Sequence, residues 1–391
     1  MSNFICIPVK PLDMKKFFHS TFAILIIVFL FSSCIKSLLT TPNNGTGGNG
    51  TGGSGSGSNN SPDTVSTFAG NGNTGFVNGA DTVAQFAGPT GIALDQQGNV
   101  YVVDAQNYAI RKITPGGQVS TLAGNGNQGY VNGAGATAEF SSPNGIAVDG
   151  QGNVYVSEGS STDDNRIRKI SPAGVVSLFA GRGRMGFTNG VGLMASFSTP
   201  GGMAFDQQGN LYVADQYNNA IRKITPSGMV STLSGNGKQG AVNGPIDSAE
   251  FNVPADVTID PLGNIYVADN YNALIRKISP AGMVSTLAGN INQTGIDNGT
   301  GTAAQFVSPQ ALVADAQGNV YETDGINNSS IRKITPAGVV TTLAGNPSTG
   351  FSNGPYLTAV FSSPSGLALD AIGNMYVADQ GNNVIRKITL Y

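Results

Sequence analysis

Acidic and basic side chains recur in a fixed relation along this chain of 391 residues. Six acids each end a run such as Y-V-A-D or Y-V-S-E, and an arginine in an I-R-K triplet follows each acid after 7 to 10 residues. Opposite charges at this separation can pair across a short hairpin, so we expect one structural ion pair in every repeat. The alternative is a ring of charges that binds a ligand. The acids are Asp104, Glu158, Asp215, Asp269, Asp324 and Asp379, and the arginines are Arg111, Arg168, Arg222, Arg276, Arg332 and Arg386.

Histidine and free cysteine, which carry much enzymatic chemistry, are nearly absent. The sequence has one histidine, His19, and two cysteines, Cys6 and Cys34. All three precede residue 35, in a region where we expect an export signal and a lipidated cysteine. Without histidine or a free thiol, the remaining chain cannot form a Ser-His-Asp set or a Cys-His pair. We therefore predict no catalytic residue.

Departures from the repeat supply the candidate ligand-binding residues. The stretch YVSEGSSTDDNRIRK lengthens one connection and concentrates acids, and GRGRMGF adds two arginines. Tyrosines on the matching connections of other repeats could frame a carbohydrate or a peptide. Sequence drift in a tolerant loop is the alternative explanation. The candidates are Glu158, Asp163, Asp164, Arg166, Arg182, Arg184, Tyr108, Tyr217 and Tyr271.

Two further acids stand where the other repeats have uncharged residues. Asp256 replaces the glycine of a P-x-G sequence, and Glu322 replaces the valine of Y-V-A-D. Carboxylate oxygens are the ligands that hard divalent cations prefer. We expect no cofactor, but if a divalent cation is bound, Glu158, Asp256 and Glu322 are the candidate metal ligands.

The elements that must position these side chains follow from a period near 55 residues. Aspartates in D-x-x-G-N turns lie 54 to 57 residues apart, which indicates a repeat architecture. Each repeat contains four short β-type runs separated by turn sequences, such as GIAL, NVYVVD, IRKI and VSTLAG in the first repeat. Four antiparallel strands repeated radially describe a β-propeller blade.

Two more residue types recur in the long loops between repeats. We expect the asparagines, each followed by glycine, to form turns, and the phenylalanines to fill the space between blades. The asparagines are Asn78, Asn132, Asn189, Asn243, Asn298 and Asn353, and the phenylalanines are Phe86, Phe140, Phe197, Phe251, Phe306 and Phe361.

The stretch PTGIALDQQGNVYVVDAQNYAIRK and its five successors resemble the NHL repeat. The resemblance implies an all-β, six-bladed propeller of the TolB-like class over residues 63–391, with the GIAxD strand innermost and VSTLAG outermost. The last repeat has no fourth run, so we expect VSTFAG, residues 65–70, to pair with that repeat and close the ring. The repeats span about 85–124, 139–181, 196–235, 250–289, 305–345 and 360–391.

The N-terminal region is typical of an export signal. Lys15 and Lys16 precede an apolar run, and the sequence F-S-S-C ending at Cys34 resembles a bacterial lipobox. We expect residues 1–33 to be a signal peptide, with 1–13 reflecting a mis-assigned start, and 34–62 to be a lipid-anchored tether rich in glycine, serine and asparagine. Ordinary cleavage beside an incidental cysteine is the alternative. The expected location is the bacterial cell envelope, at the outer membrane or the cell surface.

These observations favour a non-enzymatic, envelope-anchored binding or scaffolding module. We expect a protein, peptide or glycan ligand on the face that carries the long loops, and membrane contact through the Cys34 lipid alone. The net charge of −3 and the lack of interleaved basic and aromatic residues argue against a nucleic-acid partner. One alternative is a metal-dependent hydrolase or lactonase, because propellers similar to gluconolactonase bind a divalent metal at the central channel. A mainly structural role is the other.

Overall fold

The computed structural model describes residues 64–159, 164–325 and 328–390. Cys34 and Asp163, two of the residues singled out in the sequence, lie outside these ranges. Within them, all regular structure is β-strand apart from 3-10 turns of three residues, and no helix is long and apolar enough to cross a membrane. The strands form six antiparallel sheets, which confirms the expected six-bladed β-propeller.

Each blade has four main strands, ordered from the innermost to the outermost, and in blades 3 to 6 a short strand of two residues pairs with the outermost one. The first strand of the described residues is β1 (Thr64–Ala69). Blades 1 and 2 comprise β2 (Pro89–Leu94), β3 (Val100–Asp104), β4 (Ala109–Ile113) and β5 (Val119–Ala123), then β6 (Pro143–Val148), β7 (Val154–Glu158), β8 (Asn165–Ile170) and β9 (Val176–Gly183). Blade 3 comprises the short β10 (Gly190–Val191), then β11 (Pro200–Phe205), β12 (Leu211–Asp215), β13 (Ala220–Ile224) and β14 (Met229–Ser234).

The remaining three blades repeat this arrangement. Blade 4 comprises the short β15 (Gly244–Pro245), β16 (Pro254–Ile259), β17 (Ile265–Asp269), β18 (Leu274–Ile278) and β19 (Met283–Ala288). Blade 5 comprises the short β20 (Gly299–Thr300), β21 (Pro309–Ala314), β22 (Val320–Asp324), β23 (Ser330–Ile334) and β24 (Val339–Ala344). Blade 6 comprises the short β25 (Gly354–Pro355), β26 (Pro364–Leu369), β27 (Asn374–Asp379) and β28 (Val384–Thr389), with β1 as its outer strand.

The hydrophobic core lies between adjacent blades. Because successive side chains of a strand point to opposite faces and both faces of a blade are covered, the middle strands are apolar almost throughout. Between blades 6 and 1, for example, Phe86 packs with Ile92 and Tyr376. All six loop phenylalanines are fully buried in such clusters, as expected, and burying each one contributes about 1.5–3 kcal/mol.

The long connections between blades run along the outer edge of the propeller. In blade 3, Gly190 of β10 pairs with Val230 of the outer strand, and the N–H of Gly192 reaches the carbonyl of Gly228 in the turn at the opposite face. This differs from the expectation that the long loops stay on one face, because they satisfy the open edge of the outer strand instead. The face that carries the connections between second and third strands, called here the connection face, also carries the start of each inner strand.

The first strand of the chain closes the ring. Val65 and Ser66 of β1 pair with Ile388 and Lys387 of β28, and β25 pairs with the other edge of β1. The last blade is therefore complete, and the expectation drawn from VSTFAG is confirmed.

Every blade contains the expected ion pair, buried out of contact with solvent. In blades 1 to 4 and 6 the arginine Nη1 lies 2.6–2.9 Å from a carboxylate oxygen of the acid. In blade 5 the distance from Arg332 to Asp324 is 3.7 Å. A buried pair of this kind is stable only when most of its remaining polar atoms are also bonded. In blade 1 both Nη atoms of the arginine are bonded, although its Nε has no partner among the described residues.

The arginine of each pair joins four parts of its blade. In blade 1, Arg111 donates from Nη1 to Asp104 and to the carbonyl of Gln85, and from Nη2 to the carbonyl of Val77 and to Oδ1 of Asn78. Its guanidinium also lies 5.0 and 5.1 Å from the centres of two phenylalanine rings of the loop. In each blade the corresponding one of the six loop asparagines named above accepts from the arginine in the same way. The arginine therefore fixes the loop to the blade.

Removal of the closing strand is expected to destabilise the whole propeller. A chain that begins at residue 71 lacks β1, so β28 would present an unpaired edge, whereas a chain that begins at residue 63 keeps the closure. We expect the shorter chain to melt at a clearly lower temperature and to associate, measured by calorimetry and light scattering. Equal melting temperatures for the two chains would contradict closure by this strand.

The buried pairs are expected to differ in strength between blades. Asp215→Asn leaves Arg222 buried without a counter-charge, which should cost about 3–5 kcal/mol in the free energy of unfolding. Asp324→Asn is the matched control. Asp324 is already 3.7 Å from Arg332, so this change should lower the free energy of unfolding by less. Denaturant unfolding of both variants measures the difference. A larger loss for Asp324→Asn would refute this ranking.

Candidate functional site

Six inner strands meet around a channel whose mouth opens on the connection face. Each inner strand begins with proline, and in four blades glycine stands two positions later, as at Gly91, Gly145 and Gly366. A Cβ on Gly91 would lie 2.6 Å from the carbonyl oxygen of Asn144, and one on Gly145 or Gly366 would collide with the next strand's backbone. Glycine thus allows the strands to approach closely, leaving a cavity of about 270 Å³ at the mouth.

The mouth is lined by uncharged polar side chains together with apolar ones. Thr90 and Ser365 donate to backbone carbonyls of neighbouring inner strands and so help to fix the ring. The side-chain amides of Asn144, Gln216 and Gln380 are half-buried in the mouth, and none of them bonds to another described residue. Three amides, each a donor and an acceptor, are therefore available to a ligand.

Asp256 is the ionisable residue among those that line the mouth. Its Oδ1 accepts the N–H of Val257 at 2.7 Å, and its Oδ2 accepts the N–H of Leu312 in blade 5 at 2.8 Å. Burial raises the pKa of Asp256 to about 7, although the two N–H donors lower it. The carboxyl group links blades 4 and 5 and can accept further hydrogen bonds from the channel.

Glu322 lies away from solvent between blades 4 and 5. Its strand position pairs with Leu312 on one side and with Arg332 on the other, yet neither carboxylate oxygen has a hydrogen-bond partner among the described residues. Burial raises the pKa of Glu322 well above its usual range, and the negative charge of Asp324 raises it further. This blade is also the one with the long ion pair. Glu322 is therefore a buried acid with unsatisfied hydrogen bonds, and it is not among the residues that line the mouth.

The candidates in blade 2 divide into buried and surface residues. Glu158 is buried in the repeated ion pair, bonded to Arg168 and to the N–H of Ser141. It is therefore a structural residue. Asp164 pairs with Arg166 at 2.7 Å, and the Arg166 guanidinium lies 3.9 Å from the centre of the Tyr130 ring.

Arg182 and Arg184 lie beside this surface pair. They flank Gly183, which pairs with Asn165 of β8, so the structure does bring the two basic stretches together. Both arginines are exposed, at the edge of the propeller rather than at the channel mouth. The loop candidates therefore form a surface cluster separate from the mouth.

The three candidate tyrosines are not equivalent. Tyr217 and Tyr271 are the middle residues of 3-10 turns Gln216–Asn218 and Asn270–Asn272, in adjacent blades, and both are exposed. Tyr108 instead follows the corresponding turn with φ of 48°, the position held by Asn219 and Ala273 in those blades. Tyr217 and Tyr271 are thus exposed on the connection face, and Tyr217 directly follows Gln216, which lines the mouth.

The candidate metal ligands do not form one set. Glu158 is in blade 2, Asp256 in blade 4 and Glu322 in blade 5, and the described residues contain no group of three or more His, Cys, Asp or Glu arranged to hold a metal ion. Among the described residues, Asp256 is thus the carboxylate that lines the mouth.

Sequence reasoning missed the amides of the mouth. Asn144 is the middle residue of a P-x-G sequence, and Gln216 and Gln380 each follow the acid of a Y-V-A-D run. A signal was present, because a six-bladed ring places those two positions of every repeat at one end of the channel. No local pattern within one repeat distinguishes them.

Replacing the buried Glu322 with the valine of the other repeats is expected to stabilise the protein. A buried polar group without a partner costs about 1–3 kcal/mol. The folded-state pKa of Glu322 is raised, so its contribution to the stability of the folded protein is greatest at acidic pH, where this carboxyl group is protonated. That contribution is lost as pH rises through the folded-state pKa. Glu322→Val should therefore raise the melting temperature, and more at pH 8 than at pH 4. Val267→Glu in blade 4, the reverse control, should lower it. A lower melting temperature for Glu322→Val at both pH values would contradict this assignment.

Solved structures share the propeller architecture. A protein of Bacteroides ovatus described as an auxiliary nutrient binding protein superposes with a TM-score of 0.63 and 19% identity, covering 84% of this chain and 76% of that one. A gluconolactonase of Xanthomonas campestris superposes with a TM-score of 0.54 and 13% identity, covering 78% of this chain and 87% of that one. At these identities the likeness establishes the fold.

Curated relatives match this chain over one part of their own length. The chloroplastic protein SUPPRESSOR OF QUENCHING 1 of Arabidopsis thaliana is 29% identical over 287 residues, which are 69% of this chain and 27% of that protein. Teneurin-3 of Mus musculus is 27% identical over 377 residues, 84% of this chain and 13% of that protein. The chain thus spans about a quarter or less of the length of these relatives.

The family comparison agrees with the repeats seen in the structure. The NHL repeat model matches residues 86–113, 197–224 and 251–278, which run from the loop phenylalanine to the end of the third strand in blades 1, 3 and 4. The same elements recur in the other three blades. The chain therefore contains NHL repeats, which form blades of a six-bladed β-propeller.

Proposed function

We propose that this protein is a non-enzymatic binding module that takes up a ligand at the channel mouth on the connection face. The observation that carries the proposal is the convergence of three unbonded amides, Asn144, Gln216 and Gln380, with the Asp256 carboxyl group in one cavity. Concave sites with a few convergent polar groups are the usual form of small-molecule sites. The structural likeness to nutrient-binding propellers is consistent with such a role.

The same proposal includes attachment to the cell envelope. The sequence pattern around Cys34 supports an exported, lipid-anchored protein, and the following stretch rich in glycine and serine would let the propeller reach away from the membrane. A protein, a peptide or a glycan in the space around the cell would then be the natural class of ligand.

A metal-dependent hydrolase or lactonase is the alternative function. Asp256 at the channel and the likeness in fold to a gluconolactonase favour it. Against it, both Asp256 oxygens already accept backbone N–H groups, and the described residues supply no second carboxylate to the mouth. A hard divalent cation usually takes six or more oxygen ligands, several of them carboxylate oxygens. With one carboxylate, this site would supply too little negative charge for such a cation.

Binding at the mouth is expected to depend on the unbonded amides. The propeller, residues 63–391, would be screened by thermal shift and calorimetry against monosaccharides, short glycans and short peptides, because a ligand at 100 times its Kd should stabilise it by about 2.7 kcal/mol. The double variant Asn144→Ala and Gln380→Ala should weaken that binding without lowering the melting temperature. Gln96→Ala, an exposed amide in a turn of the opposite face, is the matched control.

Two results would contradict the proposal. One is an absence of binding across all three ligand classes, and the other is binding that the double variant leaves unchanged. Metal analysis of the purified protein, followed by titration with Ca²⁺ and other divalent cations, tests the alternative. Stoichiometric metal that is lost in Asp256→Asn would favour the hydrolase or lactonase.

A further inference from the structure

The polar side chains of the channel mouth are not distributed equally around the ring. The symmetric residues are accounted for by blade structure: the buried pairs, the turn aspartates and the loop phenylalanines recur in each repeat. Blades 3 and 4 contribute Gln216 and Asp256 to the lining, and their 3-10 turns carry Tyr217 and Tyr271, which are not themselves lining residues. At the position of these tyrosines, blade 1 has Gln106 and blade 6 has Gly381. One sector of the mouth therefore combines an amide and a carboxyl group with turns that carry two exposed aromatic rings.

The two tyrosines are exposed but carried on fixed backbone. Tyr217 is 56% exposed and Tyr271 is 69% exposed, and neither hydroxyl group bonds to another described residue. The residue after each tyrosine is held from two sides. Asn218 donates to Asp215 and to the carbonyl of Gly186, and Asn272 donates to Asp269 and to the carbonyl of Gly240. A ring on a rigid turn loses little conformational entropy when a ligand packs on it.

Gln216 and Asp256 complete the sector on the channel side. The Gln216 amide lies over Gly201, where a Cβ would collide with it, so glycine makes room for this side chain at the mouth. The amide offers both a donor and an acceptor, and each Asp256 oxygen already holds one N–H and has a further acceptor site. Adjacent donor and acceptor groups match the hydroxyl groups of a polyol, each of which donates and accepts.

The charge at the mouth favours a neutral ligand. No lysine or arginine is among the described residues that line the cavity, so an anionic ligand would find no counter-charge there. Burial raises the pKa of Asp256 to about 7, so the group carries only part of a negative charge at neutral pH and gives weak attraction for a cation. An uncharged ligand with many hydroxyl groups needs no counter-charge in such a site.

On the basis of the proposed function, we infer that the ligand of the mouth is a neutral, sugar-like molecule. Its hydroxyl groups bond to Gln216, Asp256 and the other mouth amides, and the apolar face of its ring packs on Tyr217 or Tyr271. Each tyrosine presents a flat apolar face and a polar hydroxyl end, which suits a ring that is apolar on its faces and polar at its rim. The exposed arginines at the edge of blade 2 take no part in this site.

The experiment compares probes that differ in charge, bound to residues 63–391. The neutral probes are glucose, N-acetylglucosamine and a neutral disaccharide, and the charged probes are glucuronic acid and glucosamine. A tripeptide represents the peptide class. Binding is measured by calorimetry, and contact with tyrosine by the shifts of aromatic proton resonances. We expect at least one neutral sugar to bind more tightly than any charged probe or the tripeptide.

Variants locate the site. Tyr217→Ala or Tyr271→Ala should weaken binding of the neutral sugar about tenfold, as expected for loss of an aromatic contact, whereas the corresponding change to phenylalanine should alter it by no more than about threefold. Ile372→Ala, an exposed apolar residue on the opposite face, is the control and should change nothing. Melting temperatures of all variants establish that each remains folded.

The outcomes separate this inference from the proposed function. Tighter binding of a charged probe or of the tripeptide, lost in the Asn144→Ala and Gln380→Ala variant, would overturn the neutral-sugar inference and leave the binding module intact. Neutral-sugar binding that neither tyrosine-to-alanine variant weakens would overturn the role of the tyrosine sector. If no probe of any class binds, both the inference and the proposed function fail.

Discussion

The buried arginine of each blade is the interaction on which the rest of the structure depends. Burying a guanidinium group costs free energy unless its charge is paired and its N–H groups are bonded. In blade 1 one acid, two carbonyls and one asparagine accept from Arg111. The partners belong to separate segments: the second strand supplies the acid, and the preceding loop supplies the asparagine and both carbonyls. Satisfying one buried charge therefore fixes the loop, the hairpin and the approach to the inner strand together. Repeated six times, the same requirement keeps the blades alike and the ring regular.

This constraint also determines where a ligand can bind. Twelve basic residues of the chain belong to the I-R-K triplets, and their arginines are enclosed within the blades, so the repeat itself leaves little charge for a ligand. The loops, which sequence reasoning favoured as a binding face, are committed to the arginines and to the edges of the outer strands. What stays available is the channel mouth, where the inner strands make close backbone contact and the amides of Asn144, Gln216 and Gln380 bond to no other described residue. Its chemistry is that of amides and a single carboxyl group.

Much of the fold could be predicted from the sequence because its signals are local and repeated. The pairing of VSTFAG with the last blade, the burial of Phe86 and its five counterparts, and the acid–arginine pairs all follow from patterns within one repeat of about 55 residues. The candidate ligand site could not be predicted in this way, because Asn144, Gln216 and Gln380 are far apart in sequence and meet only when the ring closes. Glu158 illustrates the opposite error: its unusual neighbours suggested a site, but its position in the repeat made it the buried partner of Arg168. Asn78 and its counterparts were expected in turns, and their bond to the arginine depends on a contact that spans 33 residues.

Blade 5, which adjoins the blade of Tyr271, is where the buried charges are least well paired and bonded. Blade 5 combines the longest ion pair with a buried glutamate that has no partner, and its Leu312 N–H is the donor that holds Asp256 at the mouth. A repeat protein gains stability as a sum over similar units, so five well-bonded blades can compensate for one that is weaker. Positions that break a local rule without a structural gain tend to lie near functional sites, because selection for stability alone would restore the consensus residue. The unsatisfied positions of blade 5, together with the bond from its Leu312 N–H to Asp256, are thus consistent with our proposal that a ligand binds on this side of the mouth.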